Sequence, residues 1–358
     1  MRVVIAAGGT GGHIYPALAL ADAIMADDPL AEVLFVGTTN HLEASEVPKH
    51  GYQFDSISVK GVAGSPIMKI NAIKMTLSAI KEARIILNRF KPNIVVGFGG
   101  YVSVPTLIAA NKLKIPVIIH EQNAYAGRAN LFLARYADAI VVCYSEAQSQ
   151  FKKAPVYLLG NPTIYQAKIV NDENILSEYG LVNDLPIVMF VMGSQGSNSI
   201  NKIMIKVINE LGDKPYQVLY VTGKEHYDSF IKRVDLSKNI KIIPYVKQTA
   251  MLSHIELLIT RGGATTAAEI CAFGVPSIII PSPYVPNNHQ EINAQALVVK
   301  KAAYLIRENE LDDTKLIELI DNIMEDDKLR MTMRKNTHEL SFPLAAENII
   351  ALMKKVGN

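Results

Sequence analysis

The feature that most constrains this chain is an opening that occurs twice. Residues 3–7, VVIAA, form a short apolar run. Glycines crowd residues 8–13, GGTGGH, and a helical pattern with Pro16 in its first turn covers residues 15–26. The succession returns at residues 186–192, PIVMFVM, followed by the glycine turn 193–197, GSQGS, and a helical pattern over 199–211. Further apolar runs stand at 33–36, 94–96, 117–119 and 139–142, and again at 218–222, 240–244, 257–260 and 277–280. They are apolar throughout rather than alternating, as expected of strands covered on both faces. Such strands, alternating with helices, build a doubly wound parallel sheet.

The chain therefore reads as α/β, with two Rossmann-like doubly wound parallel-sheet domains facing a cleft. Its 358 residues suit two domains. The junction is placed at Gly160-Asn161-Pro162, ahead of the polar segment 166–185. The expected domains are residues 1–163 and 164–343, with a final helix over 344–358 packing back on the first. Ligands of such sheets bind beyond the carboxyl ends of the strands, so the cleft between two of them is the natural site.

Composition removes several alternatives. An apolar share of 49% against 20% charged residues excludes a disordered chain. With 36 basic and 34 acidic residues, bulk charge does not point to nucleic acid, and no nucleic-acid partner is expected. The charge is unevenly divided: residues 1–163 hold 15 Lys and Arg against 11 Asp and Glu, and residues 164–358 hold 21 against 23. Two cysteines, Cys143 and Cys271, exclude a disulfide scaffold and a cysteine zinc site. Residues 92–111 lack charge over a membrane-span length, but Gly97, Gly99, Gly100 and Pro105 make them a strand, a glycine loop and a helix. The opening apolar run is too short for a secretory signal.

Polar chemistry gathers where the apolar runs end. The glycines of 8–13 let a backbone approach a ligand closely, and the helix start beyond them favours an anion. A plain strand–helix turn would use the same residues. A dinucleotide loop would not fit, since Ile14 stands where G-x-G-x-x-G requires glycine and no acid occupies 37–40. His13, at the mouth of this loop, is either a solvated histidine or a general base toward a hydroxyl. Residues 97–105 make another glycine turn. His120, Glu121, Gln122 and Asn123 end an apolar run, where they suit a cleft or a structural hydrogen-bond network. In the second half, 193–196 and 260–269 pair glycines with small hydroxyl residues at helix starts, which suits a diphosphate. Glu269 could accept both hydroxyls of a ribose, or simply complement a helix dipole. The amides of 287–293 could read sugar hydroxyls, or form an ordinary polar loop. No two aspartates stand two apart, so the metal clamp of one class of sugar transferases is absent. Finally, residues 66–91 mix apolar side chains with Lys69, Lys74, Lys81, Arg84, Arg89 and Lys91 against the single acid Glu82. That pattern suits an anionic membrane surface or a normal surface helix.

Taken together, these segments resemble the MurG family, which adds N-acetylglucosamine to undecaprenyl-diphosphate-N-acetylmuramoyl-pentapeptide in peptidoglycan synthesis. The resemblance rests on GGTGGH (8–13), GGYVSVP (99–105), HEQNAYAGRAN (120–130), GNP (160–162), GSQGS (193–197), RGGATTAAE (261–269) and HQEINA (289–294), spread over essentially the whole chain. It implies the glycosyltransferase-B fold, UDP-N-acetylglucosamine as donor, and neither cofactor nor metal. By similarity Ser194 meets the diphosphate or the nearby sugar, Glu269 the ribose, and Ala264, Thr265, Thr266, Ala267 and Ala268 the diphosphate and nucleoside. Val246 would meet uracil and Gln290 the sugar hydroxyls. Thr10, Gly11, Gly12 and Asn123 would close on the donor sugar from the first domain. His13, Tyr101, Glu121 and Asn130 fall at acceptor-side positions. The implied reaction is inverting, with His13 as base and Glu121 as runner-up. The resemblance implies a peripheral protein on the cytoplasmic face of the cell membrane, with 66–91 on the bilayer and protein partners in the cell-wall machinery. One departure stands out: the family commonly has an arginine two residues after G-N-P, and here Thr163-Ile164 follow Pro162. Arg261 or Arg128 are the candidates to compensate. A UDP-N-acetylglucosamine 2-epimerase and a catalytically dead sugar-nucleotide sensor are the competing readings.

Overall fold

A computed structural model of the chain describes residues 1–61, 66–169, 174–193 and 196–357. The chain divides into two compact units, Met1–Tyr165 with Phe342–Asn358, and Gln166–Ser341. The first holds seven parallel strands: β1 (Arg2–Ala6), β2 (Glu32–Gly37), β3 (Gln53–Ser56), β4 (Ile94–Gly97), β5 (Val117–Glu121), β6 (Ala139–Val142) and β7 (Val156–Leu158). Their spatial order is β3-β2-β1-β4-β5-β6-β7. The second unit holds β8 (Ile187–Val191), β9 (Gln217–Val221), β10 (Ile240–Ile243), β11 (Leu257–Thr260), β12 (Ser277–Ile279) and β13 (Ala303–Leu305), ordered β10-β9-β8-β11-β12-β13.

Successive residues of one strand enter opposite cores, which is why the runs are apolar without alternation. Val4, Val95, Ile119 and Ile140 face one buried layer of the first unit. Val3, Ile5, Ile94, Ile118 and Val141 face the other. The closing helix Ala345–Gly357 buries Ala346, Ile349, Ile350 and Met353 in that second layer. The chain thus returns to its first unit after completing the other.

Three strands, β3, β7 and β13, are absent from the sequence reading. Each is a short edge strand with partly exposed residues, so it lacks the wholly apolar run that marks the interior strands. The first helix also starts earlier than the reading placed it. It spans Gly11–Asp27, because His13 and Ile14 already donate to the Thr10 carbonyl. His13 consequently lies in the first helical turn, and Pro16 lies beyond that turn. A proline there leaves the Gly12 carbonyl without its helical amide partner. The helix Gly100–Lys112 repeats the arrangement with Pro105.

In both units the chain reverses its direction of winding beside the first strand, between β1 and β4 and between β8 and β11. At such a switch point adjacent loops diverge and leave a crevice at the carboxyl ends. The loops flanking these crevices include 7–10 with 98–99, and 192–193 and 196–197 with 261–263.

Candidate functional site

The first crevice is built around His13. Its Nδ1 lies 3.0 Å from the Gly8 carbonyl oxygen. A carbonyl only accepts, so Nδ1 carries the hydrogen and Nε2 of the neutral ring carries the lone pair. Thr10 Oγ1 stands 3.4 Å from the same Nδ1. The ring reaches the turn after β4, where Gly99 has φ +94°; a Cβ there would lie 3.3 Å from both His13 Nε2 and Asn130 Nδ2. Glycine at 99 is what lets imidazole and amide meet over one small space.

Asn130 is held by Glu121. The buried carboxylate ends β5 and accepts four hydrogen bonds: Asn123 N–H at 3.0 Å, Asn123 Nδ2 at 3.2 Å, Gly127 N–H at 2.9 Å and Asn130 Nδ2 at 2.8 Å. A carboxylate so surrounded orients its neighbours, and its acceptor positions are already used. Asn130 Oδ1 is buried without a partner among the described residues. Behind this network His120 Nε2 donates to the Gly160 carbonyl at 3.1 Å, and Gln122 Nε2 donates to His120 Nδ1 at 3.1 Å. Burial pushes the His120 imidazole down to about 4, so it stays neutral near pH 7.

Sequence reasoning passed over Glu43. It is fully buried and accepts from Thr38 N–H at 3.0 Å, Thr38 Oγ1 at 2.6 Å and Gly9 N–H at 3.0 Å, tying the 8–13 loop to the end of β2. The signal lay just outside the 37–40 window searched for a ribose acid: Glu43 stands in the first turn of the next helix, Leu42–Lys49. Tyr101 pairs with His41 Nε2 at 2.8 Å. Burial, then the Glu43 charge, pushes the Tyr101 hydroxyl above its ordinary range. Gly11 and Gly12 open the helix that carries His13, and Asn123 belongs to the Glu121 network.

The second crevice is flanked by the start of the helix Ala264–Phe273. Glu269 is buried one turn into the helix Ala264–Phe273. Gln248 Nε2 donates to its Oε2 at 2.8 Å and Thr249 Oγ1 to its Oε1 at 2.7 Å. The structure thus joins Glu269 to the segment beginning at the buried Val246. Burial raises the Glu269 carboxyl above its ordinary range, and these two hydrogen bonds oppose the rise. The helix is preceded by Gly263, which has no side chain to cap it, and Thr265 Oγ1 is buried without a partner among the described residues. Thr266 and Ala268 are partly buried on the same start, beside the buried Ala264 and Ala267. Gln290 Oε1 accepts from Ser282 N–H at 2.9 Å, and Asn293 Nδ2 donates to the Gly262 carbonyl at 3.2 Å. A Cβ on Gly262 would stand 2.2 Å from the Gln290 carbonyl oxygen, so only glycine admits this approach. Ser194 lies outside the described residues.

Among the described residues, no group of three or more His, Cys, Asp or Glu is placed to hold a metal. No described helix is long and apolar enough to cross a membrane. The helix Pro66–Phe90 exposes Ile73, Leu77 and Ile85 beside exposed Lys74, Lys81 and Arg84. Arg89 on this helix pairs with Asp55.

Comparison with known proteins places these two crevices in one family. The glycosyltransferase family 28 N-terminal domain matches residues 3–142, and the family 28 C-terminal domain matches residues 187–349. A UDP-N-acetylglucosamine--N-acetylmuramyl-(pentapeptide) pyrophosphoryl-undecaprenol N-acetylglucosamine transferase of Limosilactobacillus fermentum is 40% identical, over 99% of this chain and 98% of the relative. A transferase of that name from Listeria monocytogenes is 40% identical, over 99% of this chain and 100% of the relative. The crystal structure of Acinetobacter baumannii MurG superposes with a TM-score of 0.80 at 26% identity, over 99% of each chain. A putative UDP-N-acetylglucosamine 2-epimerase from Listeria monocytogenes shares the fold, with a TM-score of 0.73 at 12% identity over 99% of this chain and 96% of that one.

The Glu121 network yields a stability test. In Glu121→Gln one carboxylate oxygen becomes an NH2 group that faces N–H donors. We expect a loss of roughly 1–3 kcal/mol in denaturant unfolding. Wild-type stability in this variant would show that the four hydrogen bonds do not hold the loop.

Proposed function

The chain belongs to glycosyltransferase family 28, and from that premise we propose that it transfers N-acetylglucosamine from UDP-N-acetylglucosamine to undecaprenyl-diphosphate-N-acetylmuramoyl-pentapeptide. The observation that carries the reading is 40% identity, sustained over the full length, with transferases named for that reaction. The acceptor's 4-hydroxyl oxygen attacks the anomeric carbon of the donor. The bond from that carbon to the diphosphate breaks, and UDP leaves with its electron pair. The new glycosidic bond has inverted configuration.

His13 would take the proton of the attacking hydroxyl on Nε2, since the Gly8 contact keeps the hydrogen on Nδ1. Asn130 would orient the acceptor through the same space over Gly99. Glu121, with four donors on its oxygens, would position Asn123 and Asn130 rather than exchange a proton. Thr10, Gly11, Gly12 and Tyr101 would line the same end of the unit. In the second unit, Glu269 would accept the ribose hydroxyls and the Val246 segment would meet the base. The start of Ala264–Phe273 and the turn containing Ser194 would stabilise the charge that develops on departing UDP. Gln290 would read the sugar.

We further propose that the protein is peripheral to the cytoplasmic face of the cell membrane, resting through residues 66–91. The exposed Ile73, Leu77 and Ile85 supply apolar contact and Lys74, Lys81 and Arg84 supply charge for anionic headgroups.

Three measurements test this reading. Purified protein with UDP-N-acetylglucosamine should release UDP only when a short-chain lipid-linked muramoyl-pentapeptide is added. Isomerisation of the donor without acceptor would replace transfer with epimerisation. In the same assay His13→Ala should lower kcat by about 10²–10⁴-fold while UDP affinity stays nearly unchanged; near-normal turnover removes His13 as base. Second, UDP affinity should fall as pH drops, beginning above the range where exposed carboxylates titrate. Burial raises the Glu269 pKa, and protonation removes an acceptor from the ribose. A Glu269→Gln protein should show a flat profile there; an unchanged acid limb would assign it to another group. Third, replacing Lys74, Lys81 and Arg84 by Gln should weaken binding to phosphatidylserine vesicles by about fivefold for each charge. Unchanged binding would place the bilayer contact elsewhere.

A further inference from the structure

The arginine expected after Gly160-Asn161-Pro162 is replaced by Ile164, which is buried at 4% exposure and carries no charge. Arg261 follows β11 and stands next to the Gly262-Gly263 turn, so it is the obvious substitute as a diphosphate contact. The geometry gives it another task. Its Nη1 donates to the Ile280 carbonyl at 3.0 Å and to Glu308 Oε2 at 2.7 Å, and its Nη2 donates to Ser197 Oγ at 2.9 Å. Ser199 Oγ donates to Glu308 Oε1 at 2.5 Å, and the two serine hydroxyls stand 3.1 Å apart. Arg261, Ser197, Ser199 and Glu308 therefore close a ring of hydrogen bonds. Both side chains of the ion pair are 10% exposed.

The ring ties together three segments distant in sequence: the turn after β11, the start of the helix Asn198–Glu210, and the short turn Glu308–Glu310 after β13. Ser197 is the residue that precedes the helix, where a serine side chain usually caps the first amides. Here it makes no capping bond and its hydroxyl is engaged by Arg261. By contrast, Asp312 and Asp326 cap their helices in the same unit, accepting from Lys315 N–H and Leu329 N–H.

We propose that Arg261 and Glu308 are a positioning pair that sets Ser197 and the start of the helix Asn198–Glu210 for the donor diphosphate, and that Arg261 does not itself touch the phosphates. The proposal rests on the donor-binding reading of the second unit. An Arg held by a buried carboxylate and two further acceptors has its charge largely neutralised and its fork occupied. Its influence on the ligand then passes through Ser197 and the backbone that Ser197 anchors.

The two roles predict opposite signs for one variant. Titration calorimetry of the full chain with UDP and with uridine, which lacks the diphosphate, separates them. In Glu308→Gln a positioning pair loosens, so UDP affinity should fall roughly tenfold or more, while uridine affinity stays within about twofold. If Arg261 instead contacts the phosphates, releasing it from Glu308 should leave UDP binding unchanged or tighten it, and either result overturns the proposal. Ser197→Ala leaves the ion pair in place and should show the same diphosphate-specific loss; undiminished UDP affinity in this variant also overturns the proposal. It keeps the test open should the ion-pair variants melt below the working temperature. Arg261→Met combined with Glu308→Gln should weaken UDP no more than the worse single variant, because both act through one contact; additive losses count against the pair. Wild-type protein that binds UDP no better than uridine would remove the donor reading itself, and the proposal with it. Wild-type binding intact beside an unaffected Glu308→Gln removes the positioning proposal alone.

Discussion

A carboxylate taken out of water must be surrounded by donors, and this protein uses that requirement to shape its loops. Glu43 gathers Thr38 and the Gly9 amide. Glu121 gathers Asn123, Gly127 and Asn130. Glu269 gathers Gln248 and Thr249, and Glu308 gathers Arg261 and Ser199. Each of these acids lies on a segment that follows or ends a strand, at the carboxyl edge of a sheet. Each binds a segment that the sheet alone would leave loose. The interior of both units is apolar on two faces, so these edges are where charge can be kept at tolerable cost.

The consequence is a division of labour among residues that look alike in composition. Glu121 and His13 are both polar and both stand near the carboxyl ends of the first unit's strands. Glu121 has its oxygens occupied by four donors, whereas the Gly8 carbonyl fixes His13 in the tautomer that leaves the lone pair on Nε2. His120, adjacent to Glu121, is driven neutral by burial and serves the backbone of Gly160. The second unit divides its charges in the same way. Arg261 and Glu308 pair with one another inside the fold, and the start of the helix Ala264–Phe273 carries no side-chain cap.

Much of the fold was legible because a parallel strand covered on both faces has a plain sequence signature. Interior strands such as β1, β4, β8 and β11 carry it, and the glycine turns that follow them mark where each strand hands over to a helix. The edge strands β3, β7 and β13 lacked it, being short and half-solvated. The start of the first helix was also hidden. Gly11 and Gly12 have no intrinsic preference for helix, and the Thr10 carbonyl that accepts from His13 and Ile14 decides the matter locally. Of the site, the residue types were legible and their roles were not. Glu43 escaped notice because its partners, Gly9 and Thr38, belong to two different strand ends.

The sequence by itself determined the class of the fold, the doubling of the opening unit, the polar stations at strand ends and the family they belong to. Local pattern suffices there, since burial on two faces and tight glycine turns act over a few residues. Only the tertiary structure decided which polar groups are spent on holding loops. Glu121 is saturated by Asn123, Gly127 and Asn130, and Arg261 closes a ring with Ser197, Ser199 and Glu308. Those choices depend on hydrogen bonds between segments up to 109 positions apart in the chain. Donors and acceptors so far separated are matched only once the sheets have brought their strand ends together.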